Sequence, residues 1–116
     1  MLQLFKRRKF RKESNLLFIK KTLESEFRTD NKASIDIKNG QVRFHYEFYE
    51  HNFAGSVQGQ GFTAFIDPSY TIEVINYQIL HDRFVDVSRY DRVCACVDME
   101  EVVDTLLMII EGEEDY

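Results

Sequence analysis

The sequence predicts an α+β fold: a mainly antiparallel sheet of about five strands, with an N-terminal and a C-terminal helix packed on one face. Three observations carry this expectation. Apolar residues recur at helical spacing near both ends of the chain, residues alternate apolar and polar through the middle, and Asn39-Gly40 separates two alternating runs. Such a dipeptide marks a two-residue hairpin turn, which joins antiparallel strands. At 116 residues and 13.8 kDa the chain has material for one hydrophobic core. With 44% apolar and 30% charged residues it is excluded from the disordered class, and ten Phe and six Tyr supply large rings for the interior.

The elements follow in order. Residues 1–12 read as a basic arm and residues 13–116 as a single domain. Leu16, Ile19, Leu23 and Phe27 line one side of a helix expected over about 14–28, with Ser14 placed as its cap. The polar cluster Thr29 to Lys32 ends it, and Ile35 and Ile37 then alternate with Ser34, Asp36 and Lys38 as a short strand. After the turn, Gln41–Glu50 places Val42, Phe44, Tyr46 and Phe48 on the core face and Arg43, His45, Glu47 and Tyr49 on the wet face. Gly55, Gly59 and Gly61 mark a bulge or turn ahead of a third strand, Phe62–Ile66, which Asp67-Pro68-Ser69 stops.

Residues 70–80 admit two readings. Asp67-Pro68 is also a way to begin a helix, but the β-branched Thr71, Ile72, Val74 and Ile75 favour a strand, which is the expectation for this segment. A linking stretch with Phe84, Val85 and Val87 leads to Arg92–Val97, which suits a buried final strand. Asp98 and Glu101 then form a capping box before the broad apolar stripe of Val102, Val103, Leu106, Leu107, Ile109 and Ile110, and Gly112 is the expected stop.

Charge is strongly segregated. The formal net charge is −5, yet Lys6, Arg7, Arg8, Lys9, Arg11 and Lys12 stand in the first twelve residues without an acid. From Asp98 to Tyr116 there are eight acids and no basic residue. Such a body steers cationic partners toward itself and repels nucleic acid everywhere except at the arm, which has two functional readings, nucleic-acid phosphates or an anionic membrane surface. The apolar runs are too short to span a bilayer, so no membrane insertion is expected. No secretory signal follows the basic start, and Cys94 and Cys96 are too close along a strand for an unstrained disulfide. Both features point to a reducing cytoplasm.

Catalytic readings find little support in the residue pattern. His45, His51 and His81 are the available acid–base groups, but His45 and His51 share a strand face only if the strand runs unbroken, and no cation beside them would hold a phosphate. The two cysteines lack the second ligand pair of a structural zinc site and read as small buried hydrophobes. Gly59-Gln60-Gly61 is followed by a strand pattern and not by the helix that a phosphate loop requires. The expectation is a protein with no catalytic residue, no cofactor and no metal.

What remains is binding. Glu47, Glu50, Asp98, Glu100, Glu101 and Asp104 are the candidate steering acids. The tyrosines Tyr49, Tyr77 and Tyr90, with Tyr70 and an outward Tyr46 as further options, are candidate aromatic anchors. The acidic run from Asp98 to Tyr116 and the hairpin at Asn39-Gly40, in a chain of this size, resemble the small acidic immunity proteins of bacterial contact-dependent and polymorphic toxin systems. The basic start departs from that pattern. The resemblance implies a one-to-one complex with a cognate toxin domain, for instance a cationic nuclease. The alternatives are a dimeric chaperone for a secreted effector and a small histidine-dependent hydrolase.

Overall fold

The computed structural model describes the backbone of residues 2–53, 56–80, 83–86 and 92–114 and the side chains of residues 12–48, 59–76 and 93–112. The element order is α1 (Leu2–Glu26), β1 (Ala33–Lys38), β2 (Gln41–Phe53), β3 (Ser56–Ile66), β4 (Thr71–Leu80), β5 (Arg83–Asp86), β6 (Arg92–Ala95) and α2 (Met99–Glu114). All pairings are antiparallel, in the order β1-β2-β3-β4-β5, with β6 also on β4. β5 and β6 share the far edge of β4 end to end: β5 pairs with Tyr77 to Leu80 and β6 with Thr71 to Val74. The expected α+β class, antiparallel sheet and terminal helices are therefore present, with β5 falling where a linking stretch was expected.

Asn39 (φ 54°) and Gly40 (φ 73°) both occupy the left-handed region, as the two-residue turn requires, and Lys38 pairs with Gln41 across it. The core face is built in cross-strand rows. Ile37, Val42, Ile66, Ile72 and Cys94 form one; Ile35, Phe44, Ala64 and Val74 form the next. Against these rows pack Leu16, Ile19, Leu23 and Phe27 from α1, and Met99, Val102, Val103, Leu106, Ile109 and Ile110 from α2. Tyr46 is 2% exposed in this core, so it is not the outward anchor considered from the sequence; its hydroxyl donates to Asp30 Oδ2 at 2.7 Å, which lets the ring be buried without an unpaired polar tip.

Four further expectations are corrected. α1 starts at Leu2 and not near Ser14, because residues 2–13 contain no Gly, Pro or β-branched residue and continue a helix that the packed second half nucleates. β6 is an edge strand and not a buried one: Val93 is 65% exposed, since among the described residues no layer covers its side of the sheet. α2 continues through Gly112 to Glu114. The glycines at 59 and 61 stand within β3, opposite a register shift between Glu47 and Tyr49 in β2, so the irregularity lies in the partner strand.

The start of α2 follows its sequence signal with one variation. Asp98 Oδ1 accepts the Glu101 N–H (2.9 Å), and Glu101 Oε2 accepts the N–H of Val97 (2.8 Å), one residue before the usual reciprocal partner. Asp98→Ala is expected to cost about 1 kcal/mol. Urea denaturation checks this, and an unchanged midpoint would remove the cap from the account of α2.

Candidate partner-binding site

Two surfaces are left by this architecture. The first is the sheet face turned away from the helices. Its rows are Ser34, His45, Thr63 and Ile75, and Asp36, Arg43, Phe65, Glu73 and Val93. Ser34, Asp36, Arg43, His45, Thr63 and Phe65 line a shallow cavity of about 480 Å³ on it. Because each side chain stands on a paired strand, the polar groups are held in fixed order: Arg43 Nε donates to Asp36 Oδ1 at 2.8 Å, and its Nη2 reaches Oδ2 of the same carboxylate. His45 Nδ1 lies 3.0 Å from Thr63 Oγ1, and its Nε2 lies 3.5 Å from Glu47 Oε1. The ring of Phe65 supplies a half-buried apolar floor beside them.

The Arg43 guanidinium, by hydrogen bonding first and by charge second, holds the Asp36 carboxyl below its ordinary value; partial burial opposes this. A depressed carboxylate stabilises the fold above its unfolded pKa, and the contribution is lost as pH falls through the folded value. Asp36 and Arg43 are about half and a third exposed, so the effect is modest. Wild type is therefore expected to lose more stability than Asp36→Asn between neutral pH and pH about 3. Parallel urea titrations of the two proteins check this; identical pH profiles would show that the pair does not contribute.

The second surface is the outer side of α2. Its inner stripe is in the core, and Glu100, Glu101, Asp104 and Glu111 are exposed on the other side, around Met108 at 71% exposure. Among the described residues none of these carboxylates is in an ion pair. Asp98 and Glu101 are engaged in capping, which leaves Glu100, Asp104 and Glu111 as the acids of this helix with no structural bond among the described residues.

The sequence-predicted residues thus divide. Glu47 lies on the open sheet face, in the row of Gly61 and Tyr77. The register shift then moves Tyr49 opposite Gln60 and Glu50 opposite Gly59, so Tyr49 leaves the alternation of Arg43, His45 and Glu47 that the sequence suggested. The side chains of Tyr49, Glu50, His51 and Tyr77 lie outside the described residues, as do His81 and Tyr90 altogether. Tyr70, half-buried at φ 69°, packs against the core and bridges the β3–β4 turn to the end of β6 through its carbonyl, which accepts the Cys96 N–H. Sequence reasoning missed Asp36, Thr63 and Phe65. The hairpin register fixed by Asn39-Gly40 was the signal that pairs Asp36 with Arg43; nothing local in the sequence aligned Thr63 with His45.

The cysteines separate as well. Cys96 is buried and Cys94 is half-buried, and burial pushes the Cys96 thiol above its ordinary value, against the thiolate that a nucleophile or metal ligand requires. Among the described residues no group of three or more His, Cys, Asp or Glu comes together to hold a metal ion, and no described helix is long and apolar enough to cross a membrane.

The fold and its two surfaces define an α+β domain with a one-sided helix layer, an uncovered polar sheet face and an acidic helix. Compared with known protein families, with curated proteins and with solved structures, the chain finds no match in any of the three.

Proposed function

We propose that this chain is a stoichiometric binding protein that occupies a cationic surface of another protein, in the manner of an immunity protein masking the substrate groove of a nucleic-acid-cleaving toxin domain. The observation that carries the reading is the outer side of α2, where Glu100, Asp104 and Glu111 stand exposed in a stretch without a single basic residue. Charges left uncompensated on a rigid helix raise the encounter rate with a positive partner and are strongly salt-sensitive. The open sheet face, with Phe65 and the ordered His45–Glu47 and Arg43–Asp36 pairs, offers the mixed polar and apolar contacts that hold a complex once formed.

The test is affinity capture of the partner from the native cell, expression of that partner with and without this chain, and measurement of association at rising salt. The expected result is a one-to-one complex, toxicity only when the chain is absent, and an on-rate that falls with salt. A partner harmless on its own, or an on-rate indifferent to salt, would overturn the reading.

A further inference from the structure

β1 ends the strand order, with β2 on one side and, among the described residues, no strand on the other. The Glu47 N–H donates to the Lys32 carbonyl at 3.1 Å, and the register then makes Ser34, Asp36 and Lys38 the residues of β1 that exchange backbone bonds with β2. The N–H and C=O groups of Ile35 and Ile37 therefore point away from β2, and among the described residues nothing bonds them. The edge is regular and open: β1 contains no Pro and no register shift, and Ile37 is 39% exposed on its core side.

Charge decides which strand fits there. When two β1 strands pair antiparallel, only residues whose backbone points outward exchange bonds, so the two-fold axis falls on Ile35, on Asp36 or on Ile37. An axis at Ile35 sets Lys38 against Lys32 of the second copy, and one at Asp36 sets the two Asp36 side chains against each other. An axis at Ile37 sets Asp36 of each copy against Lys38 of the other, so that opposite charges meet twice. Lys38 is exposed and in no ion pair among the described residues, and Asp36 is already held in place by Arg43.

The placement of α1 agrees with the same axis. α1 packs on β1 and β2, so a second β1 added at the strand spacing of roughly 4.8 Å brings two α1 helices to about 10 Å, the distance of packed helices. α1 reaches the turn end of the sheet at Asn15, whose Nδ2 donates to the Pro68 carbonyl at 3.1 Å, and its backbone continues past that end to Leu2. Because Pro68 lies between β3 and β4, Asn15 marks the flank of α1 that faces the middle of the sheet. The opposite flank, with Glu13, Leu17 and Lys20, faces out beyond β1. Leu17 is 50% exposed there, close to Asn15 and so about level with Ile37 beside the hairpin turn. An axis through Ile37 therefore also brings Leu17 to Leu17 and sets Glu13 of one copy toward Lys20 of the other.

We propose that this chain forms a two-fold dimer in which the β1 strands of two copies pair antiparallel about Ile37, with reciprocal Asp36–Lys38 contacts and α1 against α1. An unrelated strand has no reason to carry the complementary charges at this spacing, whereas a second copy carries them by symmetry. This inference goes beyond the protein-binding reading and does not rest on it.

The test is sedimentation velocity of the full chain over a range of concentrations. Expected are a reversible monomer–dimer equilibrium and, for Lys38→Glu, a dimer weakened at least about tenfold with the cooperative melt retained, because symmetry applies the like-charge contact twice. Ile37→Cys is expected to give a disulfide-linked dimer on mild oxidation, since bonded partners of an antiparallel pair lie about 5.5 Å apart at Cα. The parent chain, with Cys94 and Cys96 in place, is the control. The proposal is overturned if the chain stays monomeric at every concentration, if it grows into higher oligomers, if Lys38→Glu dimerises as tightly as the parent, or if Ile37→Cys gives no more linked dimer than the parent.

Discussion

Phe44→Ala is expected to lower the unfolding free energy by about 3–5 kcal/mol, a large share of the roughly 5–15 kcal/mol that holds a domain of this kind folded. Phe44 is fully buried in the middle of the core face, with the rings of Phe27 at 4.8 Å, Phe62 at 6.0 Å and Tyr46 at 6.1 Å. Its neighbour across β3 is Ala64, too small to move into the space, and the strands on either side are held by paired registers. The cavity therefore persists, and the loss includes the ring contacts with α1 as well as the transfer of the side chain. Phe65→Ala is the control. It follows Ala64 on β3 but lies on the open face and is only half-buried, so it is expected to cost well under half as much. Urea denaturation of both proteins decides the matter, and equal losses would mean that the helices do not define the buried side of the sheet.

The triple reversal Glu100→Lys/Asp104→Lys/Glu111→Lys is expected to slow association with the captured partner by at least about tenfold at low salt and to flatten its salt dependence. These three residues are exposed and bear no structural bond among the described residues, so the fold should be preserved. Glu100 and Asp104 are also four apart on one helix, where like charges repel by a few tenths of a kcal/mol. Reversing Asp104 alone, beyond the first turn where Glu100 favours the helix dipole, should leave stability equal or slightly higher while weakening the complex. That combination separates a binding role from a structural one. Unchanged association kinetics for the triple variant, with a normal melt, would remove α2 from the interface.

The separation between these two classes of residue also explains how much was legible beforehand. Val42, Phe44 and Tyr46, Leu16 to Phe27, and the Asp98 cap are written in local periodicity and in hydrogen bonds between near neighbours, which depend little on the rest of the fold. The strand reading of Thr71–Leu80 held for the same reason: β-branched residues on alternate sides fit a two-sided sheet. Arg83–Asp86 carried no such pattern. It is a strand because β4 offers it a free edge, and that edge exists only once β3 and β4 have paired.

The candidate surfaces show the same division more sharply. That Asp98 to Tyr116 is acidic, and residues 1–12 basic, is a property of composition alone. Where they stand in the fold was set by tertiary structure: β6 delivers the start of α2, with Asp98, to the turn end of the sheet that α1 reaches at Asn15.

By itself, then, the chain's order of residues determined the α+β class, the hairpin at Asn39-Gly40, the inner stripes of both helices and the segregation of charge, since each is a short-range consequence of side-chain type. Only the tertiary structure decided that Thr63 meets His45, that Tyr49 leaves the row of Glu47, and that the basic helix overshoots the sheet. Those depend on a register shift in β2 and on where packing against the sheet begins, which no local pattern encodes.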